Sequence, residues 1–144
     1  MGRKGFTILE LLIVIAVIAI LVGIALPRFK GMQDEGNIAK VKGELRTLST
    51  AIQSYYIHNS AIPTDAQLLT AVPNIIGAAT PKDPFVAGGA TDYPIVSNGS
   101  YFVVYSVGPG AGAAPTISAA GQVAADGKVI YVTNGTADAA HPSL

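Results

Sequence analysis

A single carboxylate, Glu10, interrupts an otherwise almost unbroken apolar run from Phe6 to Leu26. As a helix those 21 residues would span roughly 31 Å, the thickness of a bilayer's hydrocarbon core. A charge at that depth costs on the order of 2.5–3.5 kcal/mol on insertion scales, so an acid there marks a functional position that needs a neutralising partner. Arg3 and Lys4 precede the run and place the amino end on the cytoplasmic side, with the remainder across the membrane. Other chemistry-bearing residues are sparse. His58 and His141 are the only histidines, and neither lies in a metal-ligand or catalytic motif. No nucleophile elbow surrounds any serine, and the absence of cysteine excludes disulfides, thiolate metal sites and a thiol nucleophile. No enzyme is read from these residues.

The basic stretch ending in Gly5, followed by Phe6-Thr7-Ile8-Leu9-Glu10, resembles the leader and processing signal of type IV prepilins and pseudopilins. The resemblance implies cleavage between Gly5 and Phe6 by a membrane-embedded aspartyl prepilin peptidase, with N-methylation of Phe6. Glu10 becomes the fifth mature residue, and the apolar helix is kept, unlike a secretory signal cut after its hydrophobic region. Cutting creates an ammonium at Phe6. The family's assembly model pairs it with Glu10 of a neighbouring subunit; pairing within one chain is the alternative, since positions four apart share a helix face. A signal anchor with a stray acid is the plainer reading.

The elements that carry these residues follow from pattern. Gly23 and Pro27 are the helix-kink candidates, because proline lacks an N–H and clashes with the preceding turn. Beyond them Ile38, Val41, Leu45, Leu48, Ile52 and Tyr55 recur in steps of three and four, an apolar seam, while Asn37, Lys40, Glu44 and Thr47 form a polar face. The expectation is a nearly continuous helix from Phe6 to Ile57, ~78 Å long, whose upper half packs on the downstream domain. The expected organisation is a leader over 1–5, a transmembrane and filament-core helix over 6–27, and a periplasmic domain over 28–144. That domain divides into helix 28–57, a loop with a short helix 58–92, a sheet 93–134 and a tail 135–144.

Within that domain, Thr64 or Asp65 can cap a short helix reaching Ala71, with Leu68, Leu69 and Val72 turned inward, before Pro73, Pro81 and Pro84 break regular structure. Tyr93–Val96, Tyr101–Val107 and Lys128–Thr133 read as strands, with Asn98-Gly99 as a hairpin turn. Gly108–Ala125 has few large apolar residues and reads as a loop. The fold class expected is α+β and type IV pilin-like, a long helix on a small antiparallel sheet. Asn98-Gly99-Ser100 and Asn134-Gly135-Thr136 match the glycosylation pattern, although turn chemistry already accounts for both asparagines.

The chain has 144 residues, half of them hydrophobic, with nine basic and nine acidic side chains. Losing Arg3 and Lys4 leaves seven basic against nine acidic residues, a net charge of −2 before the new amine is counted. No basic patch suggests direct nucleic-acid binding. Pro81-Lys82-Asp83-Pro84-Phe85 resembles the Asp-Pro-aromatic segment of major pseudopilins of type II secretion systems, and there is no cysteine pair of the kind many pilins carry. The resemblance implies a pseudopilus subunit in the bacterial inner membrane, single-pass, with its C-terminal domain in the periplasm. Its implied partners are further copies of itself, minor pseudopilins, prepilin peptidase, the inner-membrane assembly platform, secreted cargo and the lipid bilayer. The alternative is a major type IV pilin of a surface pilus, serving adhesion, twitching motility or DNA uptake; a membrane-tethered binding module that keeps its leader is a third. No cofactor is expected. Calcium, which the family's loop can bind, is disfavoured because Asp126 is the only charge near Gly108–Ala125.

Overall fold

The computed structural model describes residues 5–70, 76–77, 79–86, 88–89 and 91–144. Arg3 and Lys4 of the leader, and Ala71, Val72 and Pro73 after the short helix, lie outside the described residues. The chain divides into two compact units, Met1–Gly36 and Asn37–Leu144, and helix α1 (Ile8–Asn59) contributes to both.

The first unit is the apolar part of α1. Its helical backbone continues without interruption across Gly23 and Pro27, so the chain does not melt there. Pro27 withholds one N–H, so the Gly23 carbonyl four residues earlier is left without its helical donor while the turns on either side keep theirs. Part of α1 is long and apolar enough to cross a membrane, and none of that stretch is covered by the described chain.

The second unit is built on the seam. Val41, Leu45, Leu48, Ala51 and Ile52 are buried, while Ile38 and Tyr55 are partly exposed at its ends. A short helix α2 (Asp65–Thr70) follows. Thr64 is its N-cap: the Thr64 N–H donates to Gln67 Oε1 at 2.8 Å, and the Leu68 N–H donates to the Thr64 carbonyl. Leu68 is fully buried, whereas Leu69 is only partly so.

Strands β1 (Ile95–Asn98), β2 (Tyr101–Ser106) and β5 (Ile130–Thr133) form an antiparallel sheet with β2 at its centre. Pairing sets Ile95 opposite Val104, Val96 opposite Val103 and Tyr105 opposite Tyr131. Side chains alternate between faces. Phe102, Val104 and Val132 join the α1 seam, Leu68, Ile76 and Tyr93 in one core cluster. Val103, Tyr105 and Tyr131 point the other way, into a second cluster with Ile117, Val123 and Val129.

Three expectations shift. The first strand begins at Ile95 rather than Tyr93, because Tyr93 is drawn into the helix-side core and Pro94 has no N–H for a ladder. The hairpin turn is Gly99-Ser100 rather than Asn98-Gly99: Asn98 pairs with Tyr101, and Gly99 carries the positive φ of 63° that the first central residue of a type II′ turn requires. The third strand starts at Ile130, not Lys128. The larger correction is Gly108–Ala125, expected as a loop. It holds β3 (Thr116–Ile117) and β4 (Val123–Ala124), a two-stranded antiparallel sheet whose Ile117 and Val123 cover the outer face of the main sheet. Two large apolar side chains suffice because the rest of that face comes from β2 and β5.

Candidate assembly site

At the start of α1 the side chains of Thr7 and Glu10 close a capping box. The Thr7 N–H and Oγ1 both donate to Glu10 Oε2 at 2.9 Å, and the Glu10 N–H donates to Thr7 Oγ1 at 3.2 Å. The arrangement was not anticipated from sequence, although Thr-x-x-Glu ahead of an apolar run is its known signature. It satisfies amide groups that a helix start leaves without partners. Glu10 Oε1 takes no hydrogen bond among the described residues. Gly5 and Phe6 precede the box outside any regular element. Downstream, Ile8, Leu9, Leu11, Ile13, Ile20 and Leu26 are all exposed, and Phe6 is 86% exposed. One carboxylate therefore stands on an uncovered apolar helix, held at one oxygen and open at the other.

In the second unit, three buried or half-buried acids position the domain. Tyr93 donates to Glu44 Oε2 at 2.6 Å, tying the segment before β1 to α1. Burial, with the Glu44 carboxylate beside it, raises the Tyr93 hydroxyl far above the usual phenol range, so it stays a donor. Glu44 also lies 3.8 Å from Lys40 one turn earlier. Asp83 is fully buried. Its Oδ1 accepts from Phe85 N and Ser106 Oγ, each at 2.9 Å, and its Oδ2 from Val107 N at 3.1 Å. The Asp-Pro-aromatic segment is thereby pinned to the end of β2. Asp138 accepts from Ala140 N and Ala125 N, which together hold its carboxyl below the usual range, with His141 4.0 Å away.

Asp92 bonds Thr80 Oγ1 and forms a 2.8 Å ion pair with Lys82, and the Lys82 hydrogen bond is the main reason its carboxyl is depressed. Lys82 and Asp92 also form an antiparallel bridge, and the Asp83 N–H donates to the Thr91 carbonyl, so the loop between them is closed at its base.

The remaining candidates have other duties. His58 lies in the last turn of α1, 2.8 Å from the Ser54 carbonyl. Asn98 donates to the Ile117 carbonyl. Asn134 accepts from Phe102 N and donates to the Ser100 carbonyl, joining the end of β5 to the start of β2. The acids around Gly108–Asp126 already hold backbone partners. Asp126 Oδ1 accepts the Lys128 N–H, both Asp138 oxygens accept backbone N–H groups, and no cluster of three His, Asp or Glu side chains exists among the described residues.

Comparison with known proteins places this arrangement. Residues 1–26 match the family model of the prokaryotic N-terminal methylation motif, a segment that contains Gly5, Phe6 and Glu10. The chain is 32% identical over 114 residues to the type II secretion system core protein G of Klebsiella michiganensis, covering 69% of this chain and 78% of that protein. It is 29% identical over 119 residues to the core protein G of Klebsiella pneumoniae, covering 74% of this chain and 85% of that protein. It is also 41% identical to the type IV narrow pilus major component PilA5 of Thermus thermophilus, over 68 residues, 47% of this chain and 59% of that protein. No solved structure matches. These findings define a type IV pilin-like subunit, and the chain belongs to the family of type II secretion system core protein G, the major pseudopilins. The likeness to core protein G reaches into the sheet domain, whereas that to the narrow-pilus component covers under half the chain, so the pseudopilin reading is the better supported.

Proposed function

We propose that this chain is the repeating subunit of a periplasmic pseudopilus that drives protein export through a type II secretion system. The observation that carries the reading is Glu10: one acid on a helix of exposed apolar residues, five positions past a Gly5–Phe6 junction inside the matched methylation motif. Prepilin peptidase cuts between Gly5 and Phe6, the Phe6 amine is methylated, and the subunit waits in the inner membrane with its sheet domain in the periplasm. The assembly platform then draws subunits into a helical filament with minor pseudopilins and cargo as further partners. Leaving lipid for a protein core gains little hydrophobic energy, because lipid is equally apolar. Register must come from close packing and from the new ammonium meeting the open Oε1 of Glu10 on a neighbour. Thr7 holds the other oxygen and aims the carboxylate. Gly23 and Pro27 supply the place where the helix bends on leaving the membrane. The role is structural, with no catalytic residue and no resident cofactor.

In cells that assemble the wild-type chain, Glu10→Ala is expected to leave cleavage intact, seen as the shorter band on a gel, while sheared filament yield falls on the order of tenfold, the effect of losing one buried charge pair. Filaments at the wild-type level would refute the pairing.

A further inference from the structure

We propose that the edge of β1 takes up an extended, lysine- or arginine-bearing segment of another protein as an added strand, with its cation on Asp65. The hairpin register decides which backbone groups could receive it. Asn98 faces Tyr101 across the two-residue turn, Val96 faces Val103, and Tyr105 N donates to the Pro94 carbonyl at 3.3 Å. Pro94, Val96 and Asn98 therefore turn their backbone groups toward β2. By the alternation of an antiparallel ladder, Ile95 and Ser97 turn theirs outward. Among the described residues no hydrogen bond reaches the amide or carbonyl of either. The opposite edge of the sheet differs: Leu144 N donates to the Tyr131 carbonyl at 3.2 Å, so the chain's own tail covers β5 there. Strand β1 also lacks the usual protection of an edge, with no charge and no proline within Ile95–Asn98.

A groove of about 260 Å³ lies against the same edge, lined by Ile95 and Ser97 and by Ile62, Pro63, Thr64 and Asp65 of the turn that leads into α2. That volume falls below the range typical of small-molecule sites and suits a side chain or two of a strand. In an added strand, the residues opposite Ile95 and Ser97 send their side chains to the same face as theirs. Asp65 sets the charge such a side chain should carry. It is half-buried, and among the described residues its carboxylate takes no hydrogen bond and no ion pair. Lys82 acts on it only weakly and is already paired with Asp92 at 2.8 Å. Burial, with the Asp92 carboxylate adding to it, pushes the Asp65 carboxyl above the usual range, as expected of an acid with no cation of its own. An incoming ammonium or guanidinium supplies that cation. A second copy does not: β1 is uncharged, so edge-to-edge pairing would leave two Asp65 carboxylates unmatched.

The full chain in detergent is titrated with a capped, extended peptide of alternating valine and threonine carrying one central lysine, and amide hydrogen exchange is followed by NMR. In the free chain the Ile95 and Ser97 amides are expected to exchange quickly and those of Val96 and Asn98 slowly; the peptide is expected to protect the first two. Ile95 and Ser97 amides already protected without peptide would mean a closed edge and overturn the proposal, as would no binding up to about 1 mM peptide. Exchanging the peptide's lysine for glutamine, or Asp65→Asn in the chain, is expected to weaken binding on the order of tenfold, and the two together no further. Equal affinity for the lysine and glutamine peptides overturns the cationic partner. Ser97→Pro removes one outward N–H and sets a ring in the path of the added strand, so it is expected to abolish binding with the melting temperature nearly unchanged. Should that variant unfold, the peptide is N-methylated at every second amide, in each of the two alternations; one of the two is expected to lose binding, and parent-like affinity of both overturns the added strand. Protection of Ile95 and Ser97 that grows with chain concentration alone would put a second copy at the edge and overturn the cationic partner as well.

Discussion

Asp83 shows how one residue can be chemically conspicuous and functionally structural. A carboxylate with no exposed surface would cost several kcal/mol to bury, and three donors, from Phe85, Ser106 and Val107, offset that cost. Asp83→Ala leaves those donors buried without an acceptor, at about 1–3 kcal/mol for each that water cannot reach. The melting temperature of the chain in detergent is therefore expected to drop by more than about 10 °C. A change of a degree or two would show that the donors find other partners. The local half of this arrangement was legible: aspartate before proline favours a turn in which its side chain bonds the N–H two residues on. The other half was not, because Ser106 is 23 residues away and nothing in a single sequence announces that distance. Glu44 is similar. Its four-residue spacing from Lys40 marks it as a surface residue, and only the fold reveals Tyr93 as its second partner.

Among the elements, α1 was the most readable, since apolar residues at alternating steps of three and four line one side of a helix and fit no strand. Strand ends were less so. Pro94 and Gly99 constrain the backbone locally, but whether a strand starts at Tyr93 or Ile95 depends on which side chain the helix takes in. Strands β3 and β4 were invisible because two residues each are too few to show a period, and their burial is decided by β2 and β5. The turn after β2 carries a prediction of its own. Gly108 has φ +68°, and a Cβ there would lie 2.0 Å from the Lys128 carbonyl oxygen. Gly108→Ala is expected to cost more than about 2 kcal/mol through combined strain and clash. Gly43→Ala, on open helix surface with nothing within 4 Å, should instead stabilise by about 0.5–1 kcal/mol. Paired thermal melts check both signs; equal shifts would contradict the geometry.

At the scale of the whole molecule, the two units meet different needs. Among the described residues, the first has no buried side chain of its own and depends on lipid or on further copies, whereas the second carries two core clusters and no buried side-chain polar atom without a partner. Asp138 clamps the chain at Ala125 and Ala140, contacts that need no cation. We accordingly propose that excess chelator shifts the melting temperature by less than about 2 °C, well under the effect of losing one kcal/mol in a domain of this size. A large drop would reinstate a metal in the Gly108–Asp126 region. The loop sealed at its base by Lys82, Asp92 and the Asp83–Thr91 bond has a different consequence. Its tip, at Gly88 and Gly89, is exposed, and lengthening such a loop costs only about 0.6 kcal/mol per doubling. A foreign epitope grafted there would leave the sheet's pairing untouched and decorate the fibre once per repeat.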